Sequence, residues 1–190
     1  MDDRIARGVN FMYAREYVVR EHGEAMWAHI VDQLPPDAAR VWRGPLVAIG
    51  TYSFGAFKAF ASALAAESGG RSDETLSGMY EYIADRSLNA LYKVFFRLTN
   101  PSFVIGNYPK LWERFFTTGK VEVREATAGR ATIEFMLPAI FLDWLPAASL
   151  GYSRKAVAMA GGKNLTMREL TRSERGGEQW AIAYELRWQE

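Results

Sequence analysis

His22 and His29 are the two histidines of the chain, and histidine is the side chain best suited to metal or haem ligation and to proton transfer near neutral pH. On an unbroken helix they would stand two turns apart on one side, but Gly23 falls between them and interrupts that helix. No H-E-x-x-H pattern surrounds either one. The chain also has no cysteine, which removes thiolate zinc sites, iron–sulfur clusters, disulfides and cysteine nucleophiles together. Two surface or capping histidines, with no metal and no cofactor, are the expectation.

Other chemistry is equally thin. Gly161-Gly162-Lys163 is followed by Asn164 and lacks the spacer and the Ser/Thr of a phosphate loop. Gly50 to Gly55 carries no dinucleotide fingerprint, and no G-x-S-x-G elbow occurs. The carboxylates are scattered, with none on the inferred inner strand faces. A triad built from distant positions would leave no local trace; short of that, the chain is expected to be non-catalytic.

Arg154 is the polar residue that stands out. In a helix starting at Pro146, the positions Ala147, Leu150, Gly151, Arg154, Val157 and Ala158 share a face. An arginine on an apolar stripe must snorkel out, pair with an acid or bind an anionic group. Structural pairing is the first expectation and an anionic ligand the second.

The stretch NYPKLWERFFTTGK, residues 107 to 120, concentrates aromatic rings. Tyr108-Pro109 starts a short helix, because proline suits a first turn and keeps its predecessor out of the helical region. Leu111, Trp112, Phe115 and Phe116 then share one face, and Lys110, Glu113 and Arg114 take the other. This face is read first as core. Together with Tyr92, Phe95 and Phe96 of the preceding helix, the rings of Trp112, Phe115 and Phe116 could also wall a cavity, with Arg154 beside it. A sequence does not distinguish a filled core from a hollow one.

The elements that must position these residues change period once, near Gly119. Before it, helices are expected over Phe11 to Glu21, Glu24 to Leu34, Asp37 to Arg43 and Phe54 to Glu67. A long central helix is expected from Ser72 to about Leu98, capped by Ser72 or Asp73 and stopped by Asn100-Pro101. Its stripe is Leu76, Tyr80, Ile83, Leu91, Val94, Phe95 and Leu98. After Gly119 the apolar residues alternate. Val121 and Val123 open a strand, Ala128-Gly129 makes a turn, and Ala131, Ile133, Phe135 and Leu137 face inward on a second strand. A helix from Pro146 to Ala160 approaches the sheet through its small residues. A hairpin follows, around Arg175-Gly176-Gly177, with Trp180, Ile182, Tyr184, Leu186 and Trp188 on one face. The expected fold is α+β: an N-terminal helical layer packed on a C-terminal antiparallel sheet of β-β-α-β-β order. Residues 1–190 are read as one domain, helical over about 1–118 and sheet over about 119–190.

Composition bounds the partners. The 23 basic and 22 acidic side chains are interspersed and sum to +1, which leaves no electrostatic footprint for nucleic acid. Little colloidal repulsion remains, and this permits self-association or a protein partner. No apolar run is long enough to span a membrane, and MDDRIARG has no secretory core. A cytoplasmic protein is expected.

The succession Y-K-V-F-F-R (92 to 97), P-S-F (101 to 103), P-K-L-W (109 to 112), T-G-K-V-E-V (118 to 123) and Y-E-L-R-W (184 to 188) resembles an uncharacterised family of bacterial single-domain proteins, of about 200 residues, multiplied into paralogues in myxobacteria. R-G-V-N-F (7 to 11), H-G-E (22 to 24) and L-P-P (34 to 36) extend the likeness over almost the whole chain. That family is similar to a superfamily of ligand- and partner-binding domains: the vinyl-reductase-type domains, the haem–nitric-oxide sensors and the TRAPP-type vesicle-tethering subunits. The resemblance implies helices against a four-to-five-stranded antiparallel sheet, an apolar cavity between them, and function by binding. It also marks departures. The haem sensors place a proximal histidine shortly before a Tyr-x-Ser-x-Arg propionate clamp. Here no histidine follows residue 29, and Tyr152-Ser153-Arg154 lacks the spacers. The cysteines of the tethering subunits and vinyl-reductase-type domains are missing too.

The first functional expectation is therefore a non-catalytic regulatory or scaffold domain acting through protein contacts, self-association to a homodimer included, with Trp42 or Trp188 as rings that could mark an interface. The alternative is a sensor that binds an apolar or weakly anionic small molecule between helices and sheet.

Overall fold

Gly23 shapes the first element. Helix α1, Gly8–Gln33, is broken at Gly23, whose φ of 85° and ψ of 166° lie outside the helical region. Only glycine reaches this conformation without strain, so the chain forms two rods, as the sequence pattern requires. The structure, a computed structural model, describes residues 5–92 and 100–190, the side chains of 90–92 excepted.

Helix α2, Pro36–Arg43, starts on a proline whose missing N–H costs nothing in a first turn. Helix α3, Phe54–Ala66, starts on Ser53, whose hydroxyl oxygen accepts from Ala56 N at 3.0 Å. The three helices close on a ring cluster. Trp42 lies 4.6 Å from Phe11, 4.2 Å from Phe60 and 5.5 Å from Trp27, centroid to centroid, and its indole N–H donates to Ala56 O at 2.9 Å.

Helix α4, Ser72–Tyr92, is central, packing against α1, α3 and the later helix α7, Leu145–Met159. Of its expected stripe, Tyr80 and Ile83 are buried and Leu76 is half-buried. Leu91 has no described side chain, and Val94, Phe95 and Leu98 lie outside the described residues. Two short helices follow: α5, Pro101–Gly106, and α6, Tyr108–Phe115. Helix α5 was not expected from the sequence. Asn100 does end the preceding segment, but its side-chain oxygen also accepts from Phe103 N at 2.9 Å, the cap of a new helix with proline at its first turn.

The sheet is as expected. Strands β3 (Lys120–Thr127), β4 (Arg130–Pro138), β5 (Lys163–Gly176) and β6 (Gln179–Gln189) form an antiparallel sheet of order β3-β4-β6-β5, with α7 between its second and third strands in chain order. The register aligns Val121 with Phe135 and Phe135 with Ile182, and then Ile133 with Tyr184. All of these are buried, which puts them on the face that the helices cover.

A small second sheet was also not expected. Strand β1, Ala6–Arg7, pairs with β2, Thr51–Tyr52, and Ala6 bridges to Phe116, while Thr117 N donates to Ile5 O at 2.9 Å. Two-residue strands carry too little periodicity to be read in advance. They tie the start of α1 to the junction of α6 and β3, the junction that carries the clustered rings.

Candidate functional site

The rings of residues 107 to 120 fill most of the space between the layers and leave a cavity of about 40 Å³. Helix α6 provides Tyr108, Leu111, Trp112 and Phe115, with Phe116 directly after it. Helix α4 adds Tyr80 and Ile83; α7 adds Ala148, Ser149 and Tyr152, with Trp144 at its N-cap; α1 adds Asn10. Mutual ring packing explains why so little space remains. Trp112 stands 4.4 Å from Phe116 and 5.7 Å from Phe135, and Tyr152 lies edge-on to Tyr108 at 5.9 Å and to Phe115 at 5.6 Å.

Of the residues singled out in the sequence, Trp112, Phe115 and Phe116 are brought together here. Phe95 and Phe96 lie outside the described residues, and the side chain of Tyr92 is not described. Arg154 is not at the cavity. It is exposed, and one guanidinium nitrogen lies 3.3 Å from Glu81 Oε1 and 3.3 Å from Ser77 Oγ, both on α4. The pairing expected of it is present, but the apolar stripe assigned to it is not. The buried residues of α7 are Leu145, Ala148, Ser149, Gly151, Tyr152, Ser153, Ala156 and Val157, whereas Ala158 is exposed with Arg154 and Ala147 and Leu150 are only partly covered. Gly151, expected against the sheet, packs instead on α4. The residues missed were Asn10, Tyr80, Ile83, Tyr108, Leu111, Trp144, Ala148, Ser149 and Tyr152. For α7 the signal was present, since Trp144, Ala148 and Tyr152 follow at i, i+4 and i+8.

The cavity is almost wholly apolar, and its polar atoms fall into two groups. Some are satisfied. Asn10 Nδ2 donates to Phe115 O at 2.9 Å, and the Tyr152 and Ser87 hydroxyls lie 3.2 Å apart. Others are not. Tyr80 Oη and Trp144 Nε1 are buried without a well-formed hydrogen bond; the Trp144 N–H is a weak partner of the phenol beside it, and the two rings meet edge to face at 5.7 Å. Burial pushes the Tyr80 phenol far above its ordinary pKa. The nearby Trp144 indole N–H opposes this in part, and the charge of Asp143 adds to it. Tyr108 is also raised by burial, against the Ser153 and Ser149 hydroxyls. Both phenols therefore stay neutral, and no charged side chain lines the cavity among the described residues.

Tyr80 and Trp144 have a second face. On their other side a groove of about 260 Å³ runs between α3, α4 and the start of α7, lined by Lys58, Ala61, Ser62, Ala65, Leu76, Asp143 and Ala147 as well. At its rim Lys58 Nζ donates to Asp143 Oδ1 at 2.6 Å and to Ile140 O at 3.0 Å.

No protein-family model matches this sequence, and no curated protein matches it. Solved structures do. An Fe(II) unliganded H-NOX protein from K. algicida is 16% identical with a TM-score of 0.70, over 97% of each chain. An H-NOX protein from S. oneidensis in the Fe(II) ligation state is 9% identical with a TM-score of 0.72, over 97% of this chain and 96% of that one. An oxygen-binding H-NOX domain related to soluble guanylate cyclases is 7% identical with a TM-score of 0.67, over 96% and 93%. At these identities the likeness is one of fold, along nearly the full length of both partners.

Proposed function

We propose that this chain is a non-catalytic sensor domain that binds a small apolar molecule between its helices and its sheet, and that it does so without haem. The observation that carries the reading is the ring-lined cavity at the meeting of α1, α4, α6 and α7, with no charged side chain among its described lining residues, on a fold whose solved neighbours are H-NOX proteins described with iron or with oxygen. This favours the alternative drawn from the sequence over the scaffold role placed first there. The anionic half of that alternative loses its reason, because Arg154 lies outside the cavity and is paired.

Haem does not fit the residues present. His22 and His29 are exposed on α1, and neither belongs to the cavity lining. His29 Nε2 is engaged with Glu67 at 3.2 Å. The sequence offers no other histidine and no cysteine. Among the described residues no cluster of three or more histidine, cysteine or carboxylate side chains is placed to hold a metal ion. The cavity, at about 40 Å³, has room for a few waters or a very small guest, whereas pockets for cofactor-sized ligands measure about 300–1,000 Å³. Trp112, Phe116 and Phe135 occupy the space between the layers.

The scaffold role stands second. The rings that could have marked an interface, Trp42 and Trp188, are buried at 2% and 6% exposure. The exposed large apolar side chains among the described residues are Met12, Val47, Ile49, Phe103 and Leu170, divided among α1, the α2–β2 loop, α5 and β5. No helix among the described residues is long and apolar enough to cross a membrane.

Native mass spectrometry of freshly expressed protein tests the sensor reading. A mass above that of the bare chain, lost under denaturing conditions, is expected. A bare-chain mass together with no thermal shift across a panel of small neutral apolar compounds would end it. Absorbance of protein produced with a haem precursor tests the second half: no Soret band is expected, and stoichiometric haem would overturn it.

A further inference from the structure

We propose that the free edge of β5 pairs antiparallel with the same edge of a second copy of this chain, joining the two sheets into one across a two-fold axis at Leu170 and Thr171. This gives the homodimer expected from the sequence a defined surface. It stands apart from the sensor reading, since no described residue of β5 lines the cavity between the layers.

The two edges of the sheet differ. Strand β3 has α5 and α6 packed against it, and Ser102 Oγ of α5 donates to Thr127 O at the strand's end at 2.7 Å. Strand β5 is the longest, at 14 residues, and is packed mainly by β6 and α7. Among the described residues no strand pairs with its other side. Leu165 is buried and Met167 half-buried, but from Arg168 to Arg172 every residue is exposed. Backbone N–H and C=O groups left unpaired along such an edge are a template for another strand. Leu170, 40% exposed, stands in the middle of this stretch and is the exposed large apolar residue of the sheet among those described.

The edge also selects its partner. Glu169 is aligned with Tyr184 and Thr171 with Ala183, so Leu170 is the extra residue of a bulge. Bulges and charges keep ordinary strands off an edge, and a regular strand laid here falls out of step at Leu170. A second copy, turned about an axis at this point, brings the same extra residue to the same place, and the two strands stay in step.

That register sets Glu169 opposite the partner's Arg172 and Arg172 opposite the partner's Glu169. Both lie on the side of the strand that faces the helices, being aligned with Tyr184 and Ile182, so opposed side chains can meet. Within one strand they already form a two-point ion pair at 3.0 and 2.7 Å. Two such pairs close into a ring of alternating charges. Arg168 then meets the partner's Ser173 and Met167 the partner's Glu174, and no like charges stand opposite. A slip in one direction opposes Glu169 to the partner's Glu174, and a slip in the other sets Arg172 opposite the partner's Met167. Leu170 and its copy are covered at the axis, and a net charge of +1 adds little repulsion.

Sedimentation velocity over a series of concentrations tests this, with a concentration-dependent dimer expected. Glu169→Arg sets guanidinium groups against one another and Arg172→Glu sets carboxylates against one another. Each variant alone should be monomeric where the parent is dimeric, and an equimolar mixture of the two should dimerise again. A local defect in either variant would not be repaired by mixing. Leu170→Lys should be monomeric, whereas Phe103→Lys, the same kind of change at an exposed position of α5, should dimerise as the parent does. Circular dichroism melts of all four confirm folding. A parent that is monomeric at every concentration, a dimer that survives Leu170→Lys, or a mixture that stays monomeric overturns the proposal. None of these outcomes bears on the cavity, so the sensor reading stands or falls separately on native mass spectrometry.

Discussion

Gly151 of α7 lies directly against Ser77 of α4: a Cβ at residue 151 would stand 2.7 Å from the Ser77 carbonyl oxygen and 3.0 Å from Tyr80 Cβ. The first distance is to backbone in the middle of a helix, so the neighbour has no soft degree of freedom with which to give way. This contact sets the spacing of the two helices that carry Tyr80 and Trp144. Gly151→Ala is expected to destabilise the fold by about 1–3 kcal/mol through overpacking, against a helix-propensity gain of about 1 kcal/mol. A lowered melting temperature checks the sign. A variant that melts higher would show that α4 and α7 part easily.

Asn10 closes the opposite side of the cavity. Its amide donates to the carbonyl of Phe115, the last residue of α6, and to Arg7 O at 3.2 Å. Carbonyls at a helix end have no partner within the helix, and this one is buried. Asn10→Leu keeps the volume and removes the donor. The orphaned carbonyl should cost about 1–3 kcal/mol, read as a lower urea midpoint with an unchanged slope.

How far the sequence showed this arrangement depends on the period of each segment. The β-β-α-β-β order and the inward set Ala131, Ile133, Phe135 and Leu137 were legible, because strict alternation admits one assignment of faces. The α6 rings were legible for the parallel reason that Pro109 and Gly119 bracket a single helical turn pattern. Helix α7 was not, since small residues fall on both candidate stripes (Ala147, Gly151 and Ala158 on one, Ala148, Gly151 and Ala156 on the other), and the one containing Arg154 was chosen. The chosen stripe shares Gly151 and Val157 with the true one, which is why the error is a rotation and not a misplaced helix. Trp144 was missed because it precedes the proline that marks the first turn, where a face has not yet begun. Asn10 was missed because its partner lies 105 residues away, and nothing local signals such a bond.

Glu185 gives a prediction on the acid side. It sits on the sheet's outer face with only 4% of its side chain exposed, covered by Arg187 Nε at 3.0 Å, Arg130 at 3.0 Å and Arg168 at 3.2 Å. The cover is guanidinium and not hydrocarbon, so the hydrogen bond from Arg187 outweighs desolvation, and the carboxyl is held below the usual carboxylate range, with Arg168 and Arg130 adding to this. A lowered folded-state pKa means stability that is present above the unfolded value, about 4.3, and lost as pH falls through the folded one. Glu185→Gln leaves three guanidinium groups facing one another. Its melting temperature should fall below the parent's at neutral pH, and the gap should narrow steadily below about pH 4. A gap independent of pH would assign the loss to packing.

Tyr80 gives the complementary prediction on the alkaline side. Its phenol is raised far above the ordinary value of about 10 by burial, so the folded state holds a proton that the unfolded chain gives up. Stability from this group is complete below about pH 10 and declines as pH rises above it, by about 1.4 kcal/mol per pH unit for one fully buried phenol. Tyr108, raised for the same reason, adds to the slope, so the parent protein should lose stability steeply in this window. Tyr80→Phe removes one titrating group and should flatten the decline measured by urea unfolding between about pH 10 and 11.5. At neutral pH the same substitution removes a buried hydroxyl whose contact with the Trp144 N–H is weak, and should cost little. An unchanged alkaline slope would mean that the phenol ionises in the folded protein as readily as in the unfolded chain, and so is reached by water.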